Sequence, residues 1–105
     1  HACKNQPLKS STMFKTNEYF DGNVKSIAFE MPEGPATIGV MAAGEYNFGT
    51  SSIEYMTVTS GELLVMLPGE TAWKAYKPFE TFVVEKGVTF KVKAQADTSY
   101  LCLYR

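Results

Sequence analysis

Arginine is almost missing from this sequence: Arg105, the last residue, is the only one. No cluster of guanidinium forks can therefore grip phosphates along the chain. Charge of one sign is not in excess either, with 10 basic residues against 11 acidic and a net charge of −1. Proteins that coat nucleic acid or lie on anionic membranes carry a basic surplus, so neither kind of partner is expected. Cysteine occurs only as Cys3 and Cys102, too few for a disulfide framework. Cys102, inside an apolar run, reads as a small buried hydrophobe. The longest strictly apolar run, residues 63–67, is far short of the roughly 20 residues that span a bilayer. The N-terminal residues also lack the charged start, apolar middle and small-residue cleavage site of a secretory signal. A cytoplasmic setting is therefore expected. What remains is a 105-residue chain, 45% hydrophobic and 13% aromatic, with room for one soluble domain around one core.

Residues 1–16 differ from the rest. They are rich in Lys, Ser, Thr, Asn and Gln, show no periodicity and hold the single histidine, His1. They read as a disordered tail or an expression remnant, with Met13 a possible start. Residues 17–105 form the expected domain. No stretch there carries the 3.6-residue apolar stripe of a helix. Short β-branched and aromatic runs are instead broken about every 8 to 12 residues by turn signals, such as Asp21-Gly22-Asn23, Ser60-Gly61 and Lys86-Gly87. Strands are predicted at residues 24–29, 36–41, 45–48, 53–59, 62–67, 72–76, 81–84, 89–94 and 99–104. The domain is all-β.

Alternation assigns faces. In residues 89–94, Lys91 and Lys93 share one face while Phe90, Val92 and Ala94 share the other. Residues 62–67 and 99–104 do not alternate: both faces are apolar. One face of such a strand fills a barrel and the other needs cover. In so short a chain a second subunit supplies it most simply, which predicts a homodimer.

About nine short strands in about 90 residues suit a small jelly-roll barrel. Glu54, followed after six residues by Gly61, fits half of the first cupin motif. More specific are the segment from Asn17-Glu18-Tyr19-Phe20 through Val24-Lys25-Ser26-Ile27, then Gly39-Val40-Met41 with Gly44-Glu45-Tyr46-Asn47-Phe48. Met56-Thr57-Val58, Leu67-Pro68 with Trp73, and Thr98-Ser99-Tyr100-Leu101-Cys102 with Tyr104 follow in order. Together they resemble the small bacterial cupins known as pyrimidine/purine nucleoside phosphorylases, over residues 17–105. The chain departs from that pattern at Glu85-Lys86-Gly87, where family members carry Pro-Gly-His. Around Glu33-Gly34-Pro35 it lacks an arginine that some members have.

The resemblance implies a cupin barrel and phosphorolysis: a nucleoside and orthophosphate, the co-substrate, give free base and pentose 1-phosphate. No metal is expected. Metal cupins use several histidines with a glutamate, and neither residues 47–50 nor the region of Phe90 offers an imidazole. Glu54 shares a face with Met56 and Val58, the face that in cupins looks into the barrel. Desolvation there raises a carboxyl pKa, as a general acid requires. Glu54 is the candidate catalytic residue, as acid or as sugar anchor, the alternative being a structural carboxylate at the barrel mouth bonded to backbone or a lysine; Glu45 is a second carboxylate that reads as solvent-facing. Lys25 and Thr50 are the phosphate candidates, although Lys25 equally suits an edge strand in water. Tyr46, Phe48, Met56, Trp73 and Tyr100 are the substrate-binding candidates; base stacking tolerates any base, which suits broad specificity. Phe82 and Phe90 read as core, and Trp73 as a residue of a mouth or interface. The alternative reading is a metal-free cupin that binds a small ligand without catalysis, since no self-sufficient catalytic motif is present.

Overall fold

A computed structural model describes residues 14–105; residues 1–13, most of the expected tail, lie outside the described part. Among the described residues ten strands and no helix form. They are β1 (Thr16–Tyr19), β2 (Val24–Met31), β3 (Gly34–Met41), β4 (Gly44–Gly49) and β5 (Glu54–Ser60). β6 (Leu63–Met66), β7 (Lys74–Tyr76), β8 (Thr81–Val84), β9 (Thr89–Ala94) and β10 (Thr98–Tyr104) complete them. Two antiparallel sheets face each other, one of six strands in the order β1-β2-β3-β10-β5-β8 and one of four in the order β4-β9-β6-β7. This is the all-β cupin-type barrel that the turn spacing and the resemblance imply.

The expected alternation builds the core. Phe90, Val92 and Ala94 of β9 point inward and are buried, as are Met56 and Val58 of β5. Val24, Met41, Leu63 and Val65 join them from both sheets. Each such side chain contributes roughly 1.5–3 kcal/mol through burial. Among the described residues, no buried side-chain nitrogen or oxygen lacks a hydrogen-bond partner, so the core carries no polar penalty.

Two details depart from the sequence reading. β1 was not among the predicted strands, because Thr16–Tyr19 is polar and shows no apolar alternation; it forms by pairing with β2 along Thr16↔Ile27 to Tyr19↔Val24. The second concerns the uncovered apolar face. The back of β6 is half-buried, with Leu64 in register with Lys93 and Met66 with Lys91, whose aliphatic stems shield such positions. The uncovered face belongs to the outside of the six-stranded sheet. There Ile27, Ile38 and Leu101 form one cross-strand row, and Leu103, Tyr55 and Val83 form part of another. Ile27 is 48% exposed, Ile38 44% and Val40 52%.

Candidate active site

A cavity of about 310 Å³ opens between the sheets, near the lower end of small-molecule sites, roughly 300–1,000 Å³. The tip of the β1–β2 hairpin, the end of β4, the start of β5 and the inward side chains of β10 surround it. Tyr19, Phe20, Phe48, Phe90, Tyr100 and Tyr104 supply aromatic walls. Ser26, Glu54 and Cys102 add polar side chains, beside Met56 and Gly49, while Asn47 borders the opening from an exposed position in register with Lys91. None of these residues is a lysine or an arginine.

Glu54 opens β5 opposite Tyr104, and alternation sends its side chain to the same side as Met56 and Val58. Burial pushes its carboxyl above the usual carboxylate range, partly offset by a hydrogen bond from Cys102. That thiol donates to Glu54 Oε1 at 3.6 Å. Cys102 itself is pushed up to about 12, first by burial and then by the neighbouring Glu54 charge, so it remains a donor. Burial also raises the phenols of Tyr100 and Tyr104. Tyr104 Oη and Thr37 Oγ1 share a hydrogen bond of 2.9 Å. A carboxyl of raised proton affinity thus faces the cavity, beside a thiol and inner phenols whose proton affinity burial also raises.

Many cupin barrels hold a metal, and these residues do not fit one. The chain has no histidine beyond His1, and in the cavity wall Glu54 is the single carboxylate and Cys102 the single thiol. Among the described residues no three His, Cys, Asp or Glu side chains converge.

The tip of the β1–β2 hairpin has an unusual backbone. Phe20 and Asp21 adopt left-handed conformations, φ 54° and 57°, ahead of Gly22 at φ 84°. Tight turns with successive left-handed residues ordinarily use Asn and Gly; a bulky side chain there costs about 1–3 kcal/mol. The Gly22 amide donates to the Tyr19 carbonyl at 3.1 Å, and Asn23 donates to the Phe20 carbonyl from both its backbone and its side chain. The Phe20 ring rests on Tyr46 at 5.0 Å and meets Phe48 edge-on at 5.5 Å. Such pairs return roughly 0.5–1.5 kcal/mol each.

Of the sequence-predicted site residues, Glu54, Phe48, Met56 and Tyr100 come together in the cavity wall. Tyr46 stands behind it, its hydroxyl donating to the Ala42 carbonyl at 2.7 Å and its ring supporting Phe20. Trp73 lies half-buried outside the four-stranded sheet, with Lys93 Nζ 4.5 Å from its ring centroid. Lys25 does not reach the cavity: Val24 and Ser26 on either side point inward, and Lys25 pairs with Glu18 at 3.8 Å, both exposed. The Thr50 hydroxyl donates to the Glu85 carbonyl at 2.7 Å and accepts from the Val88 amide at 3.1 Å, tying β4 to the β8–β9 loop. Sequence reasoning missed Tyr19, Phe20, Ser26, Asn47, Cys102 and Tyr104. Ser26 carried a signal, as a small polar residue at an inward position of β2; Cys102, in a run apolar on both faces, carried none, and Tyr19 and Phe20 stood out only in the family resemblance.

The family model described as pyrimidine/purine nucleoside phosphorylase matches residues 14–104. The chain belongs to that family. A pyrimidine/purine nucleoside phosphorylase of Pseudomonas aeruginosa (strain LESB58) is 59% identical over 93 residues, covering 89% of this chain and 100% of the relative. A crystal structure of a Vibrio parahaemolyticus protein of unknown function superposes with a TM-score of 0.83 at 42% identity, over 87% of this chain and 97% of that one. An Fe(II)-bound enzyme, HppE, shares the fold alone, with a TM-score of 0.73 at 9% identity over 97% of this chain and 61% of that one. The pyrimidine/purine nucleoside phosphorylase family is thus matched along nearly all of the described barrel, the cavity included.

Proposed function

We propose that the protein cleaves purine and pyrimidine nucleosides with orthophosphate, releasing the free base and pentose 1-phosphate. The observation that carries this reading is Glu54, a half-buried carboxyl with raised proton affinity in an aromatic-walled cavity. The C1′–N bond breaks as Glu54 donates a proton to the departing base, and a phosphate oxygen bonds to C1′. The proton that phosphate gives up restores the acid form of Glu54, so protons balance over the turnover. General acid catalysis of this kind contributes about 10²–10⁴-fold. No lysine or arginine is among the described residues that line the cavity, so phosphate is held by neutral donors beside Glu54, for which Ser26 and Tyr104 are the candidates. A protonated Glu54 accommodates the anion and an ionised one repels it. Aromatic walls accept any base through its π face, which supports broad base tolerance.

The same reading includes a second copy of the chain. The outer face of the six-stranded sheet presents the exposed apolar residues Ile27, Ile38 and Val40, with the Glu18–Lys25 pair at its margin. Two such faces pack against each other about a two-fold axis, each covering what the other leaves exposed. A cytoplasmic setting agrees with Cys102 being a free buried thiol.

The test is to incubate the protein with mixed nucleosides, with and without phosphate, and to separate the products. Base released only with phosphate, together with pentose 1-phosphate, is the expected result; release that ignores phosphate indicates hydrolysis. No release by protein that still binds nucleosides favours the non-catalytic ligand-binding cupin. In Glu54→Gln the rate is expected to fall about 10²–10⁴-fold.

A further inference from the structure

We propose that Phe20 is the ligand-stacking wall of the cavity, a ring carried on the β1–β2 hairpin tip that selects for a planar heteroaromatic group. The identity of that group as a nucleobase rests on the reading above. Three observations point to this role.

The first is the backbone. The hairpin needs left-handed residues at its tip, and Gly22 already supplies one. A sequence serving the turn alone places Asn or Gly at residue 20. A phenylalanine at φ 54° is poor turn chemistry, so its ring answers another demand.

The second is the way the ring is held. Tyr46 and Phe48 support it at 5.0 and 5.5 Å, and Phe48 in turn meets Phe90 at 5.8 Å. These contacts orient the ring, yet Phe20 remains 42% exposed. A residue that merely closed the core would bury what this one leaves open.

The third is position. Phe20 and Glu54 both line the cavity, and β3 and β10 lie between the β1–β2 hairpin and β5 in the six-stranded sheet. A base stacked on Phe20 extends its attached sugar toward Glu54 across the inward side chains of β10. Ring and carboxyl then divide the work, one retaining the base by its face and the other meeting the atoms that react.

Three substitutions separate this role from packing. Uridine and inosine are titrated by calorimetry without phosphate, alongside their free bases, uracil and hypoxanthine, and thermal unfolding is followed in parallel. Phe20→Asn is expected to unfold within a few degrees of the wild-type temperature, because relief of the turn offsets the lost contacts with Tyr46 and Phe48. It is also expected to bind nucleoside about tenfold more weakly or worse, because the stacking face is gone. Phe20→Leu keeps bulk and loses the ring, with a similar expected loss; Phe20→Tyr restores the ring and stays within about threefold of wild type. Equal binding by wild type, Asn and Leu variants overturns the proposal and leaves the nucleoside reading standing. So does a drop in unfolding temperature for all three variants with unchanged affinity, the mark of a packing role. If the wild type binds free bases but no nucleoside and the Phe20 dependence persists, the stacking role holds and the nucleoside reading falls. Absence of any binding by the wild type overturns both.

Discussion

The Cys102 thiol, read from sequence as core filler, donates to the one carboxyl in the cavity wall. Its hydrogen bond lowers the Glu54 pKa while burial raises it, and burial is the larger effect. Removing the donor therefore lifts the Glu54 pKa further. If the acid form of Glu54 protonates the base, kcat/KM declines as pH rises through that pKa. In Cys102→Ala this decline is expected to move to higher pH, and in Cys102→Ser to move back. Carbon-13 NMR of the Glu54 carboxyl checks the same shift without turnover. Stability carries a matching sign. A carboxyl with a folded-state pKa above its ordinary value of 4.5 contributes stability that is present below that value and lost as pH rises through the folded value. Glu54→Gln has no such loss, so its unfolding temperature is expected to gain on wild type as pH climbs through that window.

Among the elements, the strands that alternate were legible and the site-bearing tip was not. β8 and β9 occupy the predicted residues, and β5 and β10 fall within one residue of theirs at each end. In β9 a period of two is enforced by burial on one face and lysine on the other. β1 escaped notice because a polar edge strand has no such pattern; its pairing with β2 is a property of the hairpin. Glycine is needed for space at one central position. Gly39 in β3 sits opposite Tyr100 in β10, and any Cβ there would strike the Tyr100 ring. Gly39→Ala is expected to push that ring into the cavity or out of register. An overpacking cost of about 1–3 kcal/mol follows, measurable by urea unfolding, with weaker nucleoside binding alongside.

At the scale of the whole molecule, the two-faced apolar strands predict a face that needs cover, and the exposed apolar residues lie only partly on those strands. β10 does contribute Leu101 and Leu103 to the outer face, but β6 is half-covered, and β2 and β3 carry the most exposed residues. If this face pairs with its copy, Ile38→Glu buries a charge at the centre of the contact and is expected to convert dimer to monomer by light scattering. The circular dichroism of the barrel should not change, since Ile38 already faces outward. A wild-type protein of monomer mass would remove the proposed pairing.

The all-β class, most strand positions and the inward course of Glu54 followed from sequence alone, because each is written in short-range order: turn residues, alternation and a carboxyl among apolar neighbours. The company Glu54 keeps did not follow. Cys102 lies 48 positions away along the chain and becomes its donor only through the pairing of β10 with β5. Phe20 reaches the cavity because a left-handed hairpin tip lays its ring on Tyr46 and Phe48 of the other sheet. Lys25 stays outside because a strand side chain has two faces to choose from, and burial of Val24 and Ser26 leaves it the outer one. Long-range pairing, which no local pattern encodes, decided which residues share the cavity.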